Sequence, residues 1–396
     1  MLLLNILLIA GAVLVAIPAA MFSVEVLLAV LFGRRAFTAK STGEVPSFAV
    51  LIPAHNEQAV IASTLKTLLP TIPAQGRVVV VADNCSDSTA AMARELGATA
   101  VERFDTSRRG KGWALDFGIE SLAAAPPDVV VFLDADCQVD QHTVTRLAAA
   151  AHASGCPIQG LNLCDPDPNG SALQIVSGLA FRFKNLVRPL GLVRLAGMTH
   201  LTGTGMALPW ARINRAQVAS SNVVEDMQLG IDLAVAGYRT QFLPAARVNS
   251  PLPQQRAAAK TQRTRWEHGH LRTLMTQVPR LLARAVKTCR YDLFLLALDL
   301  AIPPLSLLVM LTLAYTLLAG IAAGLGGSLV PAIIAGVSLL AIIGSVLLGW
   351  AIHCRQQIPL RALLMAPLYA LWKVPLYLAF LWRRQQQWVR TARDAA

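Results

Sequence analysis

Apolar residues gather at the two ends of this chain and leave a charged, turn-rich block between Ser41 and about Tyr291. No other feature constrains the fold as much, because roughly 20 consecutive apolar residues suffice to cross a bilayer core. The first run, Met1 to Phe32, holds only Asn5 and Glu25 as strongly polar members. Positive charge follows it, at Arg34, Arg35 and Lys40, and none precedes it. That order predicts an uncleaved anchor with its amino terminus outside. Apolar character returns from Leu293 to Leu318, where Pro303-Pro304 should kink the span, and from Val330 to Ile352. Gly320 to Gly327 would join these spans as a short outer loop. The last apolar stretch, Leu360 to Trp382, contains Pro367, Lys373 and Pro375. It is basic before (Arg355, Arg361) and after (Arg383, Arg384, Arg390, Arg393). A full crossing would place the basic tail outside, so the stretch reads as an interfacial or re-entrant helix pair. The expected organisation is an anchor over 1–32, a cytosolic domain over 43–291 ending in interfacial helices, and a membrane region over 292–396. The sequence thus predicts a multi-pass protein of the cell (inner) membrane, with the central domain cytoplasmic.

With 55% hydrophobic and only 15% charged residues, the composition excludes a disordered chain and argues against a wholly soluble one. Lys plus Arg is 35 against 23 for Asp plus Glu, a net charge of +12 that suits an anionic partner. The basic residues cluster at membrane boundaries and in Arg108-Arg109-Gly110-Lys111-Gly112, which favours membrane lipids and a phosphorylated substrate over nucleic acid. The six cysteines form no CxxC pair, so neither a zinc site nor a disulfide framework is supported. GxGxxG and GxxxxGK[ST] are both missing, which disfavours a dinucleotide fold and a P-loop.

The central block alternates strands and helices. Phe48 to Pro53, Arg77 to Ala82 and Val129 to Leu133 read as buried strands. Glu57 to Leu69, Thr89 to Leu96 and Trp113 to Ala123 read as helices. Alternation of this kind predicts an α/β fold with a mainly parallel sheet, whose ligands sit at the carboxyl ends of the strands. Three of those ends carry polar clusters: Pro53-Ala54-His55-Asn56-Glu57, Asp83-Asn84 and Asp134-Ala135-Asp136. Two carboxylates at i and i+2 can approach one Mg²⁺ or Mn²⁺ and the diphosphate bound to it. Asp83 can accept from a base or ribose, or cap the next helix, a role Ser86 or Asp87 could also take. The Arg108–Gly112 loop offers three cations to a diphosphate.

Val224-Glu225-Asp226 opens a helix, where a carboxylate either serves as general base or answers the helix dipole. Gln262-Arg263-Thr264-Arg265-Trp266 precedes the return of the membrane; Arg265 could hold a diphosphate and Trp266 could stack on a sugar. A Trp-anchored interfacial helix is equally natural there. His268 and His270, at i and i+2, do not suit a helical metal pair.

Taken in order, these motifs resemble a membrane-bound family 2 glycosyltransferase, in the subgroup of cellulose, hyaluronan and poly-N-acetylglucosamine synthases. The resemblance covers about residues 45 to 270. It implies a GT-A domain, flanked by transmembrane helices, that uses a UDP-sugar and a divalent metal with inversion. By that likeness Asp83 contacts the uridine and Lys111 the nucleotide, while Pro53, Asn56 and Glu57 line the donor site. Asp134 faces the nucleotide and Asp136 ligates Mg²⁺ or Mn²⁺. Asp226 is the base with Glu225 beside it, and Gln262, Arg265 and Trp266 close over the diphosphate and acceptor. Gly203-Thr204-Gly205 sits where the family lines the acceptor site. Val224 departs from the Thr common before Glu-Asp in cellulose-type enzymes. The implied acceptor is a growing polysaccharide or lipid-linked glycan, with accessory export subunits as possible partners. Transfer of one sugar to a membrane lipid of the sphingolipid kind is the alternative, and a non-catalytic scaffold or transporter conflicts with the intact set of carboxylates.

Overall fold

A computed structural model describes residues 2–33, 45–166, 170–213, 218–219, 224–250 and 256–382, with side chains of the last stretch from Lys260 onward. Arg34, Arg35, Lys40 and the basic tail beyond Trp382, on which the expected orientation leans, lie outside the described residues.

The sheet strands are β1 Phe48–Ala54, β2 Gly76–Asp83, β3 Thr99–Arg103, β4 Val129–Phe132, β5 Gln138–Val139, β6 Ile158–Leu163, β7 Met206–Pro209 and β8 Gln241–Asn249. They form one sheet in the order β3-β2-β1-β4-β7-β6-β8-β5. The expected parallel pattern holds for β3, β2, β1 and β4. It changes at β7, which runs antiparallel to both β4 and β6, so the sheet is mixed. The helices of the first half are α1 Leu2–Phe32, α2 Gln58–Leu68, α3 Thr89–Glu95, α4 Lys111–Leu122, α5 Thr143–Ser154, α6 Ala172–Arg182 and α7 Arg188–Ala196. A π-helical turn over Phe183–Val187 joins the last two. The second half adds α8 Glu225–Val235, α9 Arg256–Thr288, α10 Tyr291–Leu300, α11 Leu305–Gly324, α12 Val330–Gly349 and α13 Arg361–Trp382.

The apolar run of β1 is continuous because both faces of the sheet are covered. Phe48, Val50 and Ile52 pack with Ile61, Leu65 and Leu68 of α2 and with Val144 and Leu147 of α5. Ala49 and Leu51, one residue out of phase, pack with Leu115 and Ile119 of α4 and Leu229 and Leu233 of α8. Leu51 is fully buried, so its truncation to Ala would cost about 2–5 kcal/mol. In the strand order β2-β1-β4 the connection reverses at β1, and the crevice at the carboxyl ends of β1 and β4 is where such sheets bind ligands.

The chain divides into two compact units. The sheet unit is drawn from Arg35–Asp165 and Met198–Trp266; the other comprises Met1–Arg34, Pro166–Gly197 and Glu267–Arg384. The continuous 43–291 block expected from sequence is thus interrupted: α6 and α7, and α9 from Glu267 onward, belong with the apolar helices. Within that unit Gly191 of α7 approaches α1 so closely that a Cβ there would collide with the Glu25 backbone carbonyl. Arg188 of α7 joins Glu25 of α1 at 3.0 Å and Asp299 of α10 at 2.6 Å. One guanidinium thereby bonds two buried carboxylates, which explains the lone Glu in the first apolar run. Lys373, the anomalous cation of the last apolar stretch, is likewise buried and ion-paired, with Glu267.

Among the described residues, four helices are long and apolar enough to cross a membrane: Leu2–Phe32, Leu305–Gly324, Val330–Cys354 and Arg361–Trp382. Three expectations are corrected here. Pro303-Pro304 ends α10 and starts α11 instead of kinking one span, because Pro cannot continue the i to i−4 ladder and restricts the residue before it. The expected Gly320–Gly327 loop is shorter, since α11 runs to Gly324 and α12 starts at Val330. The last stretch is one continuous helix of 22 residues with Pro367 and Pro375 inside it, not a helix pair.

Candidate active site

The site grows from the loops after β1, β2 and β4. Beyond Pro53 and Ala54 the chain turns at Asn56, a non-glycine residue with φ of 55°. The Asn56 side chain accepts from the Ser86 backbone at 2.7 Å, and the Glu57 N–H donates to Thr89 Oγ1 at 2.9 Å. His55 Nδ1 lies 2.7 Å from the Asp83 carbonyl oxygen. Pro53–Glu57 and Asp83–Asp87 are therefore one bonded assembly at the strand ends. Asp83 does not cap α3; Asp87 accepts from the Thr89 N–H at 3.0 Å instead. The Asp83 carboxylate is buried against Arg103, 2.6 Å away, and also accepts from Asn84. Arg103 escaped the sequence reading, because only the register Asp83↔Arg103 between β2 and β3 brings the pair together.

The three cations of the basic loop separate. Arg108 pairs with Asp105 at 2.8 Å and its guanidinium lies over the Trp113 ring, while Arg109 is exposed. Gly110, at φ of 124°, turns the chain into α4 so that Lys111 is the first helical residue. Lys111 Nζ then donates to Asp134 Oδ1 and, at 2.7 Å, to the Gly203 carbonyl oxygen. Burial works against the Lys111 ammonium, yet Asp134, Glu225 and Asp226 around it hold its pKa above the usual lysine value.

Glu225 and Asp226 open α8 beside this cation, and both are half-buried. Desolvation pushes the Glu225 carboxyl up to about 7; Asp226 adds to the shift and Lys111 opposes it. Asp226 Oδ1 accepts from the Met227 N–H at 2.8 Å. A Cβ on Gly203 would meet Asp226 Oδ2 at 2.8 Å and Lys111 Nζ at 3.5 Å. The Gly203–Gly205 loop is thus the floor between the cation and the expected base. Thr204 Oγ1 accepts from the Asp134 N–H at 3.1 Å, which ties that floor to the end of β4.

Ligand atoms of Asp134, Asp136 and Cys137 lie within 4.8 Å of one another. Burial, with Asp134 and Asp136 nearby, pushes the Cys137 thiol up to about 12, and its sulfur is within bonding distance of Thr204 and Ser250 hydroxyls. A protonated, engaged thiol is no ligand for a hard cation, so the donor set that fits Mg²⁺ or Mn²⁺ is carboxylate.

Gln262, Arg265 and Trp266 stand at i, i+3 and i+4 on α9, hence on one helix face, with Gln262 buried and the other two half-buried. They are carried by a separate element from the Lys111–Asp134–Asp226 cluster. Two further acids of the chain are engaged elsewhere: Glu267 is ion-paired with Lys373, and Asp232 accepts from Gln228 at 2.9 Å. His268 and His270 each place Nε2 3.0 Å from a backbone carbonyl oxygen, of Leu376 and Ile302 respectively.

The sequence pattern of Glycosyltransferase like family 2 matches residues 46–269. The "Probable glycosyltransferase YdaM" of Bacillus subtilis is 26% identical over 277 residues, 63% of this chain and 61% of its own length. An N-acetylglucosaminyltransferase of Rhizobium leguminosarum bv. viciae is 23% identical over 60% of this chain and 59% of its own. The aligned region therefore spans about three fifths of these relatives. Among solved structures, a mannosyltransferase from Pyrobaculum calidifontis in complex with GDP-Man and Mn²⁺ shares the fold. Its TM-score is 0.56 at 19% identity, over 96% of this chain and 100% of that one. The mixed α/β sheet is of the GT-A kind. More than half of the chain matches the family pattern, and the chain belongs to glycosyltransferase family 2.

Proposed function

We propose that this protein is an inverting, metal-dependent transferase that moves a sugar from a UDP-sugar to a growing polysaccharide or lipid-linked glycan at the cytoplasmic membrane face. The observation that carries this reading is Lys111, bonded to Asp134 and to the Gly203 carbonyl beside Glu225 and Asp226. A leaving diphosphate needs a cation and an attacking hydroxyl needs a base; an ammonium and two carboxylates around one loop support this reading.

In the proposed reaction Asp226 takes the proton of the acceptor hydroxyl as that oxygen attacks the anomeric carbon. Glu225, its neighbour, tunes the charge of the pair. Lys111 exchanges its contact with Asp134 for the departing diphosphate. Asp83 and the Pro53–Glu57 loop hold the uridine, with Asn56 and Glu57 shaping the loop. Gln262, Arg265 and Trp266 close over the diphosphate and acceptor, and Gly203, Thr204 and Gly205 line the acceptor. Asp136 would hold Mg²⁺ or Mn²⁺, which when bound offsets the charge on the diphosphate. The apolar helices would tether the transferase to a membrane, where a lipid-linked acceptor or an export subunit would be found.

The test is incubation of the purified protein in lipid with UDP-sugars and, as a contrasting base, GDP-mannose, followed by mass analysis of the products. Extension of a glycan or lipid-linked glycan from a UDP-sugar is expected. Turnover of GDP-mannose alone would overturn the uridine assignment.

A further inference from the structure

Gln159 is a polar side chain at the second position of the buried strand β6, and it is 2% exposed. A buried carboxamide is tolerated only when both of its ends are bonded, and here both are. Oε1 accepts from the Thr202 N–H at 2.8 Å. Nε2 donates to the Gly160 carbonyl at 2.9 Å and to the Thr204 carbonyl at 3.0 Å. The two loop contacts fall on either side of Gly203. That residue presents its carbonyl to Lys111 and, at φ of 88°, leaves Asp226 the space a side chain would fill.

We infer that Gln159 is a positioning residue for sugar transfer: its carboxamide clamps the Thr202–Thr204 backbone so that the Gly203 peptide orients Lys111 and clears Asp226. It touches neither substrate nor metal in this scheme and acts through the loop alone. The inference rests on the proposed roles of Lys111 and Asp226. The side-chain chemistry is specific. Methionine fills a similar volume without either bond, and asparagine is one methylene short. An ionised glutamate would keep the bond from Thr202 but point a negative oxygen at two carbonyls.

Gln159→Met and Gln159→Glu are to be purified in lipid beside the wild type, and nucleoside diphosphate release measured from acid to alkaline pH. Gln159→Met should lower kcat about tenfold or more, with the donor KM changed less than about threefold, because a misplaced catalytic group costs rate more than binding. In Gln159→Glu the introduced carboxyl, when protonated, restores an acceptor for Thr202 and a donor for Thr204. Its activity relative to wild type should therefore rise as the pH falls. Wild-type kcat in Gln159→Met, a donor KM rising in step with the loss of rate, or a pH-independent Gln159→Glu to wild-type ratio would each overturn the inference. If Gln159→Met does not fold, the Gln159→Glu ratio decides. Amide exchange over Thr202–Gly205 separates this inference from the functional reading. It should quicken in Gln159→Glu at alkaline pH even if the wild type turns over no donor, and unchanged exchange would overturn the clamp.

Discussion

Gly203 and Asp226 stand so close that a Cβ on the glycine would lie 2.8 Å from the carboxylate oxygen Oδ2. The same glycine holds φ at 88°, where an L side chain is strained by roughly 1–2 kcal/mol. Steric and conformational demands thus fall on one residue. Gly203→Ala should lower turnover by about 10²-fold, since the added methyl crowds the Asp226 carboxylate and strains the loop that holds Lys111. Steady-state kinetics with a nucleotide-binding control check this; wild-type turnover would show that the loop yields freely.

Asp226→Asn should leave nucleotide binding near normal and reduce transfer by about 10²-fold or more, the scale of a lost general base. Glu225→Gln should weaken activity less. Equal rates for Asp226→Asn and wild type would remove Asp226 from the mechanism.

Glu225 supplies a pH signature of folding. Its carboxyl is raised from the ordinary 4.5 to about 7, so the folded protein binds that proton more tightly than the unfolded chain. The corresponding stability is present below the ordinary carboxylate pKa and is lost as the pH rises through about 7. Without donor or metal, Glu225→Gln should melt above wild type at alkaline pH, and the gap should close in acid. Lys111→Met removes the cation that opposes the shift and should move the loss to higher pH. Parallel melting curves at every pH would contradict the assignment.

EDTA should abolish transfer, and Mg²⁺ or Mn²⁺ should restore it, while Asp136→Asn should remain inactive with either ion and keep its melting temperature. Full turnover in EDTA would leave the leaving group to Lys111 and Arg265 without a metal.

The expected topology is open to labelling. The Ser328 N–H donates to Asn5 Oδ1 at 3.1 Å, so the start of α1 and the α11–α12 turn lie at one end of the helical unit. In intact cells an impermeant thiol reagent should label Ser328→Cys and spare Ser41→Cys. The reverse pattern would invert the orientation drawn from Arg34 and Arg35.

Hydropathy and strand-end polarity were readable along the chain itself. A run such as Phe48–Pro53 or Val129–Leu133 declares its own burial, and Asp134-Ala135-Asp136 declares a strand end, because both signals are local. The ordered motifs carried the family for the same reason. What the chain could not declare were partnerships set by register and by return of the chain from far away. Arg103 meets Asp83 only because β3 pairs with β2 at that register. Gln159 bonds Thr202 and Thr204 only because β6 runs antiparallel to β7. Glu25 and Lys373 read as flaws in apolar stretches until packing gave them Arg188 and Glu267. Tertiary structure also removed α6 and α7 from the sheet unit, since their apolar faces find cover among the helices, and helical periodicity names a buried face without naming what covers it.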